Sequence, residues 1–381
     1  MGEVTVLERA AALVPYLREQ APLAEQARRV SDETYDRLAE AGVLRMCTPK
    51  KYGGDELDFQ TQCVVLAEIA RGCPSTSWCA TIMSALAWMA STFPDETQDE
   101  IMGDGDPRIS GVLAPIGMLT PTDGGYLLTG RWPFNTAGDG SRWILLSAIL
   151  DGVPHSAIVE AGQVTRLDDW HASGMAATGS STVVADAVFV PSRRVLSLPG
   201  MINGEYAPER HNADEPYFNL PLATVLAVNA GGTPWGAALG AMDAFLERLP
   251  GRAITYTMWD DQSAAPVTHL QVGEAAMLID SAAAHVKLAT AVLDAPADGV
   301  PSMHERVKAR THITYSTGLA RRAVDTLFAA SGASSIQSGV PIQRFQRDIQ
   351  ALSNHAIMHE QTGTEMYGRF LCGHGLTTVL V

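Results

Sequence analysis

The hydrophobic pattern changes its period twice along the chain, and this change limits the fold more than any other feature. Apolar residues first recur at the spacing of amphipathic helices, in segments 7–43, 58–72 and 75–92. β-Branched and aromatic residues then form short runs between turn residues, which predicts strands at 109–113, 126–132, 142–150, 155–160 and 182–190. Helical spacing returns at 217–249, 266–293, 302–331 and 342–372.

Runs of one element type predict an α+β fold that is mostly helical, because a doubly wound sheet would alternate strands with helices. We expect an N-terminal helical domain at 1–107, a central β-domain at 108–215 and a C-terminal helical bundle at 216–381. The run from Trp143 to Leu150 is apolar on both faces and predicts a central strand. No G-x-G-x-x-G motif follows a strand, so a Rossmann dinucleotide site is not supported.

Composition excludes several functional classes. The net charge is −15, and no Lys/Arg cluster suggests a nucleic-acid surface. The five cysteines are odd in number, contain no C-x-x-C pair and complete no zinc site with histidine, so we expect reduced thiols in a cytoplasmic protein. The first six residues do not resemble a signal peptide. We expect no membrane span, because no window of ~18 residues is apolar throughout.

Two segments resemble the acyl-CoA dehydrogenases. Residues 32–54 are similar to that superfamily's second helix and its Tyr-Gly-Gly turn, here Tyr52 to Gly54. Arg347 and Asp348 resemble its Arg-Asp pair at the start of the last active-site segment. The likeness covers nearly the whole chain. It implies the acyl-CoA dehydrogenase fold, with a central domain that is β-barrel-like and a C-terminal four-helix bundle.

Further segments resemble the reduced-flavin-dependent monooxygenases that share this fold. They are Pro-Ser-Thr-Ser-Trp at 74–78, Thr-Gly-Arg-Trp-Pro-Phe at 129–134, Asp-Trp-His at 169–171, Thr-Gly-Ser at 178–180 and Arg-Asp-Ile-Gln at 347–350, with His355 eight residues after Arg347. The closest likeness is to the aromatic-polyketide hydroxylases of the actinorhodin type.

This resemblance implies the oxygenase component of a two-component system. A separate NAD(P)H:flavin reductase would supply reduced FMN, with FAD as an alternative flavin. The reduced flavin would react with O2 to give a C4a-hydroperoxyflavin, which would hydroxylate an aromatic or polyketide-like small molecule in secondary metabolism.

The usual catalytic bases of the dehydrogenases are missing. Many members of that superfamily place a glutamate nine residues after the arginine of the Arg-Asp pair, where this chain has Ala356. A second subgroup places the base ahead of a glycine, but the matching stretch from Leu222 to Gly232 contains no acid. Glu360 and Glu365 are nearby but out of register. These substitutions argue against acyl-CoA oxidation.

Two histidines are the candidate catalytic groups. Read as one helix, Asp348, His355 and His359 are seven and four residues apart and share one face. A neutral imidazole at His355 could accept a phenolic proton or hold the distal peroxide oxygen by a hydrogen bond. The spacing alone fits a surface helix histidine equally well. The resemblance favours His355 as catalytic, with His359 as the second candidate.

The resemblance also implies cofactor and substrate contacts. The flavin would lie against Leu113, Phe134, Asn135, Thr136, Thr178 and Ser180, although 178–180 also fits an ordinary turn into the next strand. In this fold, segments containing Arg252, Trp259 and Gln337 reach a neighbouring subunit's flavin, which implies a homotetramer. The substrate pocket would include Trp78, Leu86 and Trp88, although aromatic residues at this spacing are also typical of a core.

Three alternatives stay open. A flavin N-oxygenase of an amino sugar would share the fold and most of the motifs. An acyl-CoA dehydrogenase with a relocated base would hold FAD tightly. A scaffold that has lost its flavin would bind neither the oxidised nor the reduced cofactor.

Overall fold

A computed structural model describes residues 4–295 and 299–381. The N-terminal part is helical, as predicted, with Thr5 and Glu8 forming a capping box at the first helix and the Ser31 hydroxyl capping the second. The first three residues, on which the signal-peptide expectation partly depends, lie outside the described residues. The helices are α1 (Val6–Ala27), α2 (Asp32–Glu40), α3 (Phe59–Gly72), α4 (Pro74–Ala90) and α5 (Asp95–Met102).

The middle of the chain forms one seven-stranded sheet in the order β5-β6-β2-β1-β3-β4-β7. Strand β3 is interior and buried, so the predicted central strand is confirmed. The pairing of β1 with β3 is parallel, and the other pairings are antiparallel. The strands are β1 (Ile109–Thr122), β2 (Gly125–Trp132), β3 (Trp143–Leu150), β4 (Val153–Glu160), β5 (Thr165–Arg166), β6 (Val183–Pro191) and β7 (Val195–Ser197).

Helices α8 to α11 form the C-terminal bundle, in which α10 packs against α8, α9 and α11. Helix α3 of the N-terminal part also packs against α8 and α9, which joins the two helical parts. The predicted boundaries between the three domains stay predictions. The helices are α6 (Leu198–Ile202), α7 (Leu222–Asn229), α8 (Gly232–Arg248), α9 (Pro266–Asp294), α10 (Met303–Ala330), α11 (Pro341–Ser353) and α12 (Glu360–Leu371).

Two predicted helices are each broken in two. Segment 217–249 becomes α7 and α8, and segment 342–372 becomes α11 and α12. The expectation that Asp348, His355 and His359 share one helix face is therefore wrong. Asn354 ends α11, and His355 lies in a turn in which the Met358 amide donates to the His355 carbonyl at 2.8 Å. The break allows Met358 to be fully buried in the core.

Helix α9 is long and apolar enough, by length and composition alone, to cross a membrane. This finding differs from the sequence expectation. An 18-residue window of α9 has a mean hydropathy of 1.4, and 33% of that window is buried. The helix carries Asp280, His285 and Lys287 and packs along α10. These features are also typical of a bundle helix with one exposed face.

Candidate active site

Helix α11 meets helix α4 and the loop at 170–180 through one buried carboxylate. Asp348 accepts a hydrogen bond from the Met175 amide at 2.6 Å and one from the Ser75 hydroxyl at 3.4 Å. Burial raises the pKa of Asp348 to about 6, and the Met175 amide opposes that shift. An added Cβ on Gly174 would lie 2.1 Å from the Arg347 carbonyl oxygen, so only glycine permits this approach.

Arg347 also contacts the loop at 170–180. Its guanidinium donates to the Ser173 carbonyl at 2.7 Å and to the Gln343 side chain at 2.7 Å, and it forms an ion pair with Glu25 of α1. The Arg-Asp pair singled out in the sequence thus holds the loop at 170–180 in place.

His355 lies in the turn after α11, against the ring of Trp78. The two ring centroids are 5.2 Å apart at an interplanar angle of 69°. His355 keeps exposed surface, yet enough protein surrounds the imidazole that loss of hydration lowers its pKa to about 4. The imidazole is therefore neutral at pH 7.

One hydrogen bond indicates which ring nitrogen of His355 carries the proton. The Ile357 amide donates to Nδ1 at 3.4 Å, so Nδ1 acts as the acceptor. In a neutral imidazole the other nitrogen then carries the hydrogen. Nε2–H is consequently a hydrogen-bond donor, and His355 could act as a base only after this long bond is broken.

His359 occupies a different place. It is the residue before α12, and its Nδ1 lies 3.1 Å from the Thr362 hydroxyl. The two acids near it are also engaged, because Glu360 pairs with Arg322 at 3.0 Å and Glu365 pairs with Arg369 at 2.7 Å. The position of the dehydrogenase glutamate, Ala356, is exposed. Next to it, His355 offers an imidazole where the resemblance to the dehydrogenases predicts a carboxylate.

A turn after β2 presents an aromatic ring beside the loop. Phe134 has a positive φ of 64° and is 69% exposed. Its ring packs edge-on against Trp170 at 6.0 Å, and the Trp170 indole donates to the Met175 carbonyl at 3.3 Å. The turn at Phe134 and the contacts of Asp348 with the loop at 170–180 are thus parts of one connected region.

Asn135 does not reach the surface. It is completely buried and its side-chain oxygen accepts a hydrogen bond from the Ser110 hydroxyl at 3.2 Å. Its Nδ2 is buried and has no partner within the described parts of the chain. Asn135 therefore supports the turn from inside, and its predicted flavin contact stays a prediction.

The other predicted flavin contacts of the β-domain lie along this region. The hydroxyls of Thr136, Ser180 and Thr178 form a continuous hydrogen-bonded chain, with separations of 2.8 and 2.7 Å. Leu113 lies where the register of β1 shifts, between Val112 and Gly117, and it is half-buried against the hydrophobic core that contains Trp78.

Two of the three predicted substrate contacts belong to the core instead. Trp88 is fully buried and its indole donates to the Tyr217 carbonyl at 3.0 Å, so it has no free face. Leu86 is buried with its Cδ1 against Gly111. Trp78 is also buried, and it is the one of the three whose ring contacts that of His355.

The remaining predicted cofactor contacts lie where α8 and α10 end. Arg252 donates to the Ser331 carbonyl at 2.7 Å, Gln337 is exposed in the following turn, and Trp259 is 40% exposed on a loop. Burial and the neighbouring Arg248 both lower the pKa of Arg252. No carboxylate in 4–295 or 299–381 forms an ion pair with either arginine. Sequence reasoning missed Arg248, which the Arg-x-x-x-Arg spacing across a helix end could have indicated.

Comparisons with known proteins agree with this architecture. The model of the acyl-CoA dehydrogenase N-terminal domain matches residues 10–102, and that of the C-terminal domain matches residues 230–360. The chain is 33% identical to the flavin-dependent monooxygenase oxygenase subunit HsaA of Rhodococcus jostii, covering 98% of this chain and all of that protein. The chain belongs to the flavin-dependent monooxygenases of the acyl-CoA dehydrogenase fold.

Two further relatives support the assignment to this monooxygenase family. The FADH2-dependent resorcinol hydroxylase oxygenase component of a Rhizobium species is 31% identical, over 97% of this chain and 94% of that protein. The crystal structure of XiaF from a Streptomyces species, in complex with FADH2 and glycerol, superposes with a TM-score of 0.90 at 30% identity, covering 98% of this chain and 96% of that one.

The residues of this monooxygenase fit its flavin cofactor. The β-domain offers an exposed aromatic ring at Phe134, a half-buried Leu113 and a hydroxyl chain without charge, which suit a flat ring system. Among the residues that the structure describes, Arg248 and Arg252 have no acidic partner, and phosphate oxygens would stabilise both guanidinium groups.

Proposed function

We propose that this monooxygenase is the oxygenase component of a two-component system and hydroxylates an aromatic small molecule with a reduced flavin and O2. The observation that carries the proposal is a neutral imidazole, His355, against Trp78 in the turn where dehydrogenases have a carboxylate. The names of two relatives, an oxygenase subunit and a resorcinol hydroxylase oxygenase component, support a separate flavin reductase and an aromatic substrate.

Within this proposal, His355 donates a hydrogen bond from Nε2. Nδ1 accepts a hydrogen bond from the Ile357 amide, so Nε2–H is the group that can donate to a ligand. A donor there would hold an oxygen atom of the substrate, such as a phenolate, and would stabilise charge on that oxygen during hydroxylation. The flavin, when bound, supplies the activated oxygen. Trp78 would pack against the flat ring of the substrate.

The cofactor proposed is FADH2, with FMNH2 as the second candidate. Two relatives at 30–31% identity are named with FADH2. Arg248 and Arg252 would carry the two phosphates of FAD, because a pyrophosphate offers more anionic oxygens than one phosphate. The polyketide substrate and the role in secondary metabolism stay narrower predictions. The apolar ring of Trp78 beside His355 favours a flat aromatic substrate over an amino sugar.

A homotetramer is the proposed assembly. Helix α9 has exposed apolar residues at Leu270, Met277 and Leu288, which recur at helical spacing along one side. The loop before α9 adds Tyr256 and Met258, which are exposed throughout. Apolar surface of this extent on a helix and an adjacent loop is typical of a subunit interface.

The test is a stopped-flow experiment in which the protein with photoreduced FAD is mixed with O2. The expected result is a slow spectral phase before the flavin returns to its oxidised spectrum, and a resorcinol-type substrate should then be consumed with stoichiometric oxygen uptake. Reduction of the bound flavin by an acyl-CoA, without oxygen, would overturn the proposal in favour of a dehydrogenase.

A further inference from the structure

Two histidines face each other where helices α9 and α10 pack together. The Nδ1 atoms of His285 on α9 and His312 on α10 are 2.7 Å apart, and the ring centroids are 5.0 Å apart at an interplanar angle of 40°. Both side chains are half-buried. The ring of Tyr315 packs edge-on beside the pair, with its centroid 4.9 Å from that of His285. The proposed flavin chemistry uses none of these three residues.

Each of the two imidazoles is held by the other. One Nδ1–H donates and the other Nδ1 accepts, so the pair has a single hydrogen between two nitrogen atoms that can each carry a lone pair. Among the residues that the structure describes, neither ring has a further hydrogen-bond partner, and no carboxylate orients either ring. Two potential ligand atoms therefore converge on one point.

Both imidazoles are neutral at pH 7. Loss of hydration lowers the pKa of His285, and loss of hydration, His285 and Lys308 together lower the pKa of His312 to about 4. A histidine must be neutral to bind a metal ion, and the pair already meets this requirement. If the shared hydrogen moves through solvent from Nδ1 to Nε2 of the same ring, both Nδ1 lone pairs are free and no proton is released.

The separation of the two Nδ1 atoms is close to that of two ligands on one ion. Metal–nitrogen bonds of about 2.0–2.1 Å place two imidazole nitrogens about 2.9–3.4 Å apart, for square-planar to tetrahedral angles. The observed 2.7 Å would need to widen by less than about 1 Å. We propose that His285 and His312 form a binding site for a divalent transition-metal ion such as Zn²⁺, Ni²⁺ or Cu²⁺, which replaces the shared hydrogen.

The ligand set limits both the metal and the affinity. Imidazole nitrogen suits Zn²⁺, Ni²⁺ and Cu²⁺, whereas Mg²⁺ and Ca²⁺ prefer oxygen ligands. Within 4–295 and 299–381, no group of three or more His, Cys, Asp and Glu side chains is placed to hold a metal ion, so water would complete the coordination. The positive charge of Lys308 beside His312 also weakens the attraction for a cation. We therefore expect a reversible site that binds Cu²⁺ most tightly.

A bound ion would join α9 to α10. Helix α9 packs along α10 on one side and exposes Leu270, Met277 and Leu288 on another. An ion that binds the two helices in the folded protein, and not the unfolded chain, stabilises the folded state by mass action. The ion would thus stabilise the helix that carries the proposed subunit surface, and this effect does not depend on the flavin.

The experiment measures metal binding by the full chain after treatment with EDTA and removal of the chelator. Titration calorimetry with Cu²⁺, Ni²⁺ and Zn²⁺ should detect one tight site per chain, and electron paramagnetic resonance should show two nitrogen ligands on that Cu²⁺. We expect His285→Gln and His312→Gln each to weaken binding at this site by more than about 10-fold, because changes outside a ligand set already cost about that much. Thermal unfolding in EDTA checks that both variants are folded.

Two further variants separate this site from general binding to surface histidines. His269→Gln removes an exposed histidine of the same helix, whose Nε2 lies 2.8 Å from the Ser263 carbonyl, and should leave the affinity unchanged. Lys308→Gln keeps both ligands but removes the neighbouring positive charge. It should tighten binding by about 2- to 3-fold at low salt, and this gain remains measurable if a histidine variant folds poorly.

The results can overturn the inference in two ways. If the wild type and both variants of the pair bind Cu²⁺ equally well, the ion binds elsewhere on the chain. If His269→Gln weakens binding as much as His285→Gln does, the binding is a general property of surface histidines. A loss confined to the two histidines of the pair, with a gain in Lys308→Gln, supports the site.

Discussion

At the scale of single residues, His355 can be tested as a donor rather than a base. Glutamine can donate a hydrogen bond from its amide but cannot accept a proton near neutral pH. We expect His355→Ala to lower the hydroxylation rate by about 10²–10³-fold, as for loss of one donor to a developing oxyanion. His355→Gln should recover a measurable part of that loss. Equal inactivity of the two variants, with normal flavin binding, would instead indicate a base.

The pH dependence of the rate gives a second check on His355. Its pKa is lowered to about 4, so the imidazole is neutral across the working range. The rate constant for hydroxylation should therefore show no ionisation of this residue between pH 5.5 and 8. Rate loss is expected only as the pH falls toward about 4. A loss centred near pH 6.5 that disappears in His355→Gln would contradict the lowered pKa.

Asp348 should make stability depend on pH. Its pKa rises from 3.8 to about 6 on folding, so protonation favours the folded state. This contribution is fully present below about pH 4 and is lost as the pH rises through about 6. The wild type should lose up to about 3 kcal/mol of unfolding free energy relative to Asp348→Asn across that window, at 1.36 kcal/mol per pKa unit. Urea unfolding at pH 4.5 and 7.5 should show about 2 kcal/mol of this loss, because part of the contribution is already lost at pH 4.5. A constant difference between the two proteins would contradict it.

At the scale of elements, the sequence predicted the long helices and strands but missed the breaks within two of the predicted helices. The period of the apolar residues predicted the strongly patterned helices, because one buried face recurs over many residues, and an unbroken apolar run predicted β3. The turn containing His355 lacks glycine and proline, so nothing local marks the end of α11. Strands β5 and β7 have only two and three residues, too few to show a period. Both depend on tertiary packing, which a single sequence does not encode locally.

The candidate site shows the same division. The motif resemblance assigned His355, Thr136 and Thr178 to one region. It could not distinguish residues that are exposed there from buried residues that support them. Asn135 and Trp88 are buried, and each forms a hydrogen bond with a residue that is distant in sequence, Ser110 and Tyr217 respectively. The hydroxyls of Thr136, Ser180 and Thr178 lead to the Met175 carbonyl, 39 residues further along the chain than Thr136, a contact that no local pattern reveals.

The close approach of α11 to the loop at 170–180 can be tested through Gly174. A Cβ there would meet backbone, the Arg347 carbonyl at 2.1 Å, so one segment must move. We expect Gly174→Ala to lower stability by about 1–3 kcal/mol through overpacking. Thermal unfolding should show the loss, together with weaker flavin binding as Met175 shifts. Gly162→Ala is the control, since nothing lies within 4 Å of its added Cβ, and an equal loss there would contradict the close-contact argument.

At the scale of the whole molecule, the predicted flavin contacts fall into two groups. Thr136 lies on the β-domain, whereas Arg252 lies at the end of the bundle and contacts Ser331 there. The exposed apolar side of α9 offers a surface on which a second copy would bury Leu270 and Met277. In a symmetric assembly, each subunit would then give its arginines to a partner's flavin and receive the partner's in return.

Mixed assemblies test whether the flavin site is shared. Thr136→Val and Arg252→Ala should each weaken FADH2 binding when expressed alone. If one subunit supplies Thr136 and its partner supplies Arg252, a mixed pair contains one intact site and one with both changes. Random mixing should then restore tight binding to about a quarter of the sites, because half of the pairs are mixed. Reduced-FAD titration of the co-expressed protein would detect this fraction. With both groups in one subunit, no pairing of the variants creates an intact site, and every site in the mixture would bind weakly.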